Sequence, residues 1–411
     1  MSKKIAIVGA GPGGISAAVA ASETGAQVFL IDENPYVGGQ IWRQKLGKIS
    51  DPNSQKWISK LNSSSIKFSP GTTVQSFLDQ KLICSNTSGQ KITVEADKVI
   101  LAIGARELFL PFPGWTLPNV VGCGGIQALV KSGLDVKNKK IVIAGTGPLM
   151  LAVAAYLKKS GAQVAGIFEQ APSSNLNKFV KYLLFNHPSK IKQGISLRLK
   201  TLTTPLKNGW WVKSALGSDK LSSVEVTNGA EIKKIDCDYL ACGFGLIPNS
   251  ELASILGCEL HNGFVKVNEN QETSVSGIYA VGELTGIGGV DKALFEGETA
   301  GRSAAGSPLT SSESEKMNNS EFVKRLEDTY ALREEVKLLA ESETIFCRCE
   351  DVSYGDVCSQ PDQRTAKLYT RCGMGACQGK ICSAMGQELF GWSRNKIKSP
   401  LIPVDIESLI S

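Results

Sequence analysis

The sequence predicts an α/β protein: tandem Rossmann-like dinucleotide-binding folds, then a small helical C-terminal domain around a cysteine cluster. Three observations predict it. The apolar run Lys4–Val8 breaks into Gly9-Ala10-Gly11-Pro12-Gly13-Gly14. The pattern restarts at Lys140, with IVIAG leading into Gly145-Thr146-Gly147-Pro148. Six of the 11 cysteines fall between residues 347 and 382.

Taken in order, Lys4–Val8 reads as a buried strand, the glycine turn follows, and a helix runs to about Thr24. A second strand, Gln27–Ile31, ends at Asp32, which completes a βαβ start. Another strand is expected over 92–103, closing on Gly104. From Lys140 come a strand, a turn, a helix to about Ser160, a strand over 163–168, and Glu169, so the nucleotide fold is duplicated. Short alternating stretches over 195–242 predict a small antiparallel sheet. Strands over 264–283 end at Gly282-Glu283, and a helix is expected over 291–305. The Ser-, Glu- and Asn-rich stretch 306–320 reads as a linker and 321–341 as helix. The expected domains are 1–120 with 244–305, 121–243, a linker and helix over 306–343, and 344–411.

Composition narrows the function. Hydrophobic residues are 42% and charged residues 20%, ordinary for a globular chain and too apolar for disorder. The charge of +6 is mild, so nucleic acid is not expected as a partner. The only histidines, His187 and His261, leave little material for a histidine base or a His-rich metal site. No apolar run reaches about 18 residues, so no membrane span is expected. The glycines within 5–21 mark a strand and turn rather than a signal peptide.

In the first fold, Gly9 permits the tight turn, Gly11 lets a pyrophosphate reach the backbone, and Gly14 lets helix and strand pack closely. The helix N-terminus offers unpaired N–H groups to phosphate, and Asp32 is placed to accept from a ribose hydroxyl. In the second fold Met150 stands at the third glycine position. A bulky residue there would push the helix off its strand or narrow the cleft. Gly145, Gly147 and Glu169 remain, so a dinucleotide, another adenine nucleotide such as ATP, or no ligand are all open at this stage. Cys84, Cys123, Cys237, Cys242 and Cys258 are scattered, and no Cys-x-x-Cys occurs in this half, which excludes a dithiol reductase. The C-terminal group comprises Cys347-Arg348-Cys349, Cys358, and Cys372-Gly-Met-Gly-Ala-Cys377-Gln-Gly-Lys-Ile-Cys382. Four thiolates suit a [2Fe–2S] cluster, and also zinc. Glycines beside the cysteines leave backbone N–H groups to bond cluster sulfur, which favours iron–sulfur.

With Gly38-Gly39-Gln40, the strand end at Gly104-Ala105, the prolines Pro111 and Pro113, and Gly277–Glu283, residues 1–305 resemble the two-dinucleotide-binding flavoproteins. The resemblance implies FAD held through Gly9, Gly11, Gly14, Asp32, Glu33, Gly39, Gln40, Val74, Gly104, Gly282 and Glu283. Glu283 stands where that family has aspartate. Gly145, Gly147 and Glu169 are the corresponding residues of the second fold. The C-terminal segment resembles the bacterioferritin-associated ferredoxin-like domain. Its pattern implies Cys347, Cys349, Cys377 and Cys382 as [2Fe–2S] ligands and Cys372 as a small buried residue. The whole order resembles the alpha subunit of bacterial heteromeric FAD-dependent amino-acid and opine dehydrogenases. That resemblance implies an electron-transfer role, with no catalytic side chain in this chain. Oxidation of an amino acid, imino acid or opine would fall to a beta subunit folded like a D-amino-acid oxidase. A small gamma subunit and an additional flavin at the subunit interface also belong to the expectation. The expected location is cytoplasmic, with peripheral contact at the inner membrane face left open. A self-contained NAD(P)H-dependent FAD/[2Fe–2S] reductase is the alternative, and a non-catalytic scaffold a third reading.

Overall fold

In the computed structural model, which describes residues 2–43, 52–78, 81–309, 320–393, 397–402 and 404, the chain forms two compact units. Unit 1 takes the described residues of 1–106, 246–323 and 396–411, and unit 2 those of 107–245 and 324–395. This division differs from the expected domains, because the cysteine-rich segment joins the second fold in one unit.

Unit 1 is built on five parallel strands, in the order Ile278–Ala280, Lys98–Leu101, Lys4–Val8, Gln27–Ile31 and Ile66–Ser69. A parallel sheet is covered on both faces, which is why its strands read as apolar runs. Successive side chains point to opposite faces. Ile5 and Ile7 therefore enter one core cluster, and Ala6 and Val8 another. The first cluster holds the helices Pro12–Glu23 and Val290–Ala305. Small residues set their approach: a Cβ on Gly297 would collide with the Gly13 carbonyl, and one on Gly301 with that of Ala17. The second cluster is closed by the antiparallel strands Thr72–Leu78, Lys81–Asn86 and Lys91–Glu95. Leu401 packs against it and donates its N–H to the Gln75 carbonyl at 2.7 Å. The single strand expected over 92–103 is thus two strands in different sheets. Asp97 marks the switch by accepting from the Lys4 N–H at 2.8 Å.

Unit 2 repeats the design. Its parallel order is Leu206–Asn208, Gln163–Glu169, Lys140–Gly145, Tyr239–Gly243 and Val120–Gly122. Its antiparallel strands are Trp211–Leu216, Ser223–Thr227 and Ile232–Asp236. The sheet expected from residue 195 therefore begins later. Residues 188–200 form a helix, whose half-buried Ile191, Leu197 and Arg198 lie about two turns apart on one side. The crossovers also differ. In unit 1 the helix Pro52–Asn62 buries Ser54, Ile58 and Leu61. In unit 2 two helices, Ser173–Asn186 and Pro188–Lys200, meet at His187, and the second buries no residue.

The helix expected over 321–341 is broken into Ser320–Tyr330 and Glu334–Lys337. Of the expected linker, residues 310–319 lie outside the described residues. The cysteine-bearing segment follows in unit 2 as strands Ile345–Cys347 and Val352–Ser353 and helices Tyr354–Val357, Gln363–Thr370 and Cys382–Phe390. The Trp115 indole N–H donates to the Ile345 carbonyl at 2.6 Å. Phe346, Phe390 and Trp392 form an aromatic cluster with centroids 4.8–6.3 Å apart. Among the described residues no helix is long and apolar enough to cross a membrane.

Candidate functional site

In unit 1 the glycine turn is dictated by close approach. Gly9 has φ +103°, and a Cβ there would strike the Ala102 carbonyl; one on Gly14 would strike the Gly9 carbonyl. Gly11 differs, since the nearest atom to its Cβ position is Gly39 Cα at 4.0 Å. The space before Gly11 is open, and Gly39, at φ +58°, borders it. Gly38 N–H ties that loop to the Ala10 carbonyl at 2.7 Å. An anion can thus reach backbone N–H groups at the start of a helix that has no acidic residue in its first turn.

Asp32 is buried. It accepts from Ala10 N–H at 2.6 Å, Asn34 N–H at 2.7 Å and Asn34 Nδ2 at 2.8 Å, so it holds the turn and keeps lone-pair capacity for a hydroxyl. Glu33 and Gln40 are exposed, and Gln40 accepts from Arg43. The Val74 side chain lies in the core, so any contact it makes with a nucleotide runs through its backbone. Gly104, at φ +65°, is open above its Cα, and its carbonyl accepts from Asn249 N–H at 3.0 Å.

Glu283 is more committed than expected. Its two oxygens accept from Gly288 N–H at 3.1 Å and Gly289 N–H at 2.9 Å, closing the turn that starts Val290–Ala305, and burial raises its pKa. A ribitol hydroxyl would have to use the remaining lone pairs. Beside it lies a network the motifs did not indicate. Buried Glu296 accepts from Gly282 N–H, Thr285 Oγ1 and Lys292 Nζ, each at 2.8 Å. The i,i+4 spacing of Lys292 and Glu296 on an expected helix was the available signal.

In unit 2, Gly145 is forced by the Gly243 carbonyl, while Gly147, at φ +100°, faces open space. Met150 does not spoil the fold. Its side chain joins the core with Ile143 and Val153, and its N–H reaches the Gly147 carbonyl at 3.3 Å in a tight i→i−3 turn, with the helix Leu149–Lys159 beginning there. Buried Glu169 accepts from Gly147 N–H and Ala171 N–H, both at 2.8 Å. Burial, only partly offset by those bonds, lifts its pKa to about 7.

The chain itself covers this turn. Thr146 Oγ1 donates to the Tyr330 carbonyl at 3.1 Å. Gln170 Nε2 donates to the Ala331 carbonyl at 3.0 Å, and Gln170 Oε1 accepts from Arg333 N–H at 3.0 Å. The Arg333 guanidinium lies 4.6 Å from the Trp211 ring, and Tyr330 meets Phe179 edge-on at 6.0 Å. Burial and the Glu169 charge raise the Tyr330 pKa. The break between Tyr330 and Glu334 thus sits beside the acidic residue that in such folds meets ribose.

The cysteine centre gathers five sulfurs in two groups. Cys347, Cys372 and Cys382 are buried, with their sulfurs within 4.8 Å of one another. Hydrogen bonds from the Cys372 and Cys382 thiols bring the Cys347 pKa down to about 2. The bond with Cys347 pushes Cys372 up to about 12, and raises Cys382 as well. Cys349 and Cys377 form the other group: the Cys377 backbone N–H and thiol both reach Cys349. Gly373 N–H points at Cys347 Sγ at 3.4 Å, the backbone-to-sulfur bond expected of these glycines. Gly375 lies against Cys349 so closely that a Cβ would collide with the cysteine's own. Cys372, expected as an inert neighbour, is therefore part of the sulfur group. Cys358 lies apart, exposed at the end of Tyr354–Val357.

Over residues 3–297 the chain matches the family described as Pyridine nucleotide-disulphide oxidoreductase. It belongs to that family. Hydrogen cyanide synthase subunit HcnB of Pseudomonas protegens is 31% identical, over 98% of this chain and 97% of the relative. An opine oxidase subunit of Agrobacterium tumefaciens is 29% identical, over 98% and 90%. Both matches run through the cysteine centre. The crystal structure of L-proline dehydrogenase from P. horikoshii shares the fold over 100% of this chain and 80% of its own, with TM-score 0.72 and 19% identity. The chain is thus a flavin-dependent oxidoreductase by family, with a fold that supports FAD.

Proposed function

We propose that this chain is the electron-transfer subunit of a heteromeric dehydrogenase that oxidises an amino acid, imino acid or opine on a partner beta subunit. One observation carries the reading: the near full-length likeness to HcnB and to the opine oxidase subunit, which extends from the Gly9 turn through the cysteine centre. FAD, when bound, accepts an electron pair, and a [2Fe–2S] cluster passes electrons singly. The residues here bind and tune. Gly11 and Gly39 leave room for pyrophosphate, Asp32 offers ribose an acceptor, and Glu283 with the Lys292–Glu296 pair fixes the turn after Gly282. Cys347, Cys349, Cys377 and Cys382 would hold the cluster, with Gly373 N–H supporting the Cys347 sulfur.

Residues 1–305 contain no Cys-x-x-Cys, and the second nucleotide turn is covered by residues 330–333. Both features suit a subunit that relays electrons rather than one that draws them from NADH. The beta subunit, folded like a D-amino-acid oxidase, would hold the substrate, with a small gamma subunit and an interfacial flavin completing a cytoplasmic complex. The test is a dye-reduction screen with amino acids and opines. The chain alone should be inactive, and the chain with its partner active. Robust turnover by a preparation free of any second subunit would refute the proposal.

A further inference from the structure

Between Glu169 and Asp219 the sequence contains no acidic residue and eight basic ones, seven of them lysine. This stretch carries +8 against +6 for the whole chain. It includes the helices Ser173–Asn186 and Pro188–Lys200. The second helix buries nothing, and its outward side bears Ile195 (56% exposed), Leu199 (63%) and, just beyond its end, Leu202 (64%). These positions follow i, i+4, i+7, a stripe along one face. Lys192, Ser196 and Lys200 interleave with it and line a shallow depression with Ile195 and Leu199. At the hairpin end, Phe185 is 87% exposed, two residues before His187.

We propose that this helical hairpin docks on an anionic lipid surface. Exposed apolar residues gathered in one stripe and rimmed by polar ones mark a surface for a partner or a membrane. Helices with exposed leucine and isoleucine flanked by lysines lie at membrane surfaces, the apolar side chains entering the headgroup boundary and the lysines meeting anionic headgroups. The cores of protein–protein interfaces are instead depleted in lysine and favour arginine, and this stretch has one arginine, Arg198, whose Nη1 is turned to the Thr201 and Thr204 carbonyls. A nucleic acid would use the cations and leave the apolar stripe unused. The proposal is independent of the redox role.

The test is co-sedimentation of the full-length flavoprotein with vesicles of phosphatidylcholine alone or mixed with phosphatidylglycerol. Binding should be at least about tenfold tighter to the anionic vesicles and should fall at high salt. Lys192→Gln and Lys200→Gln should each weaken it about fivefold, the equivalent of about 1 kcal/mol per cation. Ile195→Ser with Leu199→Ser should weaken it about tenfold or more, with unchanged circular dichroism as the check on folding. If that apolar pair fails to fold, the lysine variants alone decide the matter. Absence of vesicle binding, equal binding to neutral vesicles, or indifference to the lysine changes would overturn the proposal. Protection of Phe185 and Leu199 by a protein partner, with no binding to lipid, would overturn it in favour of a protein interface.

Discussion

For NADH to enter the second fold, residues 330–333 must leave Thr146 and Gln170. That displacement breaks three neutral hydrogen bonds, at about 1 kcal/mol each, and separates Arg333 from Trp211 and Tyr330 from Phe179, together about 1 kcal/mol or more. The total is about 4 kcal/mol, so the open form is roughly a thousandth of the population and the apparent affinity falls by the same factor. A site of micromolar intrinsic affinity would then bind NADH only near millimolar. Gln170→Ala removes the bonds to Ala331 and Arg333, about 2 kcal/mol, and should tighten NADH binding roughly thirtyfold. The assay is anaerobic stopped-flow reduction of the flavin, with titration of NADH for Kd. Wild-type reduction faster than about 1 s⁻¹ at physiological NADH would refute the reasoning and bring the reductase alternative forward. So would a Kd that Gln170→Ala leaves unchanged.

Gly11→Trp should yield folded, flavin-free protein, because its Cβ meets nothing closer than 4.0 Å while the indole fills the open space beyond; flavin absorbance with unchanged circular dichroism checks this. Cys382→Ser should abolish the electron paramagnetic resonance signal of a reduced [2Fe–2S] cluster and Cys372→Ala should spare it; the reverse result would exchange the two in the ligand set. Glu169, lifted by burial from 4.5 to about 7, stabilises the fold most when protonated. Stability relative to Glu169→Gln should therefore be greatest below about pH 4.5, fall by up to about 3 kcal/mol as pH rises to about 7, and stay level above that, as read from urea unfolding across the range.

The nucleotide turns were legible in the sequence because everything that makes them is local. Gly9, Gly11 and Asp32 lie within one strand–turn–helix–strand, and Gly145, Gly147 and Glu169 repeat it. The cover over the second turn was not legible, since Tyr330 and Arg333 meet Thr146 and Gln170 at separations of 184 and 163 residues along the chain. Spacing could not decide Cys372 either: it stands as far from Cys377 as Cys382 does, and only folding draws it to Cys347. Met150 stands where the pattern calls for glycine, yet its side chain fits the core and the helix begins one residue before it. Residues 195–200 alternate like a strand; the helical repeat becomes visible only when Ile191 and Thr201 are included.

The way unit 1 is assembled from distant pieces bears on how a ribosome must deliver it. Its first helix, Pro12–Glu23, finds its cover in Val290–Ala305, and the free side of Lys98–Leu101 finds its neighbour in Ile278–Ala280. Until residue 305 has emerged, the nascent chain shows an alanine-rich helix face without its partner and a parallel edge open to pairing with other chains. Unit 2's nucleotide sheet lies wholly between these pieces and can close first, while the Gln75 carbonyl must wait for Leu401. A stalled or truncated transcript therefore yields more than a shorter protein. It yields one whose flavin fold has never been sealed.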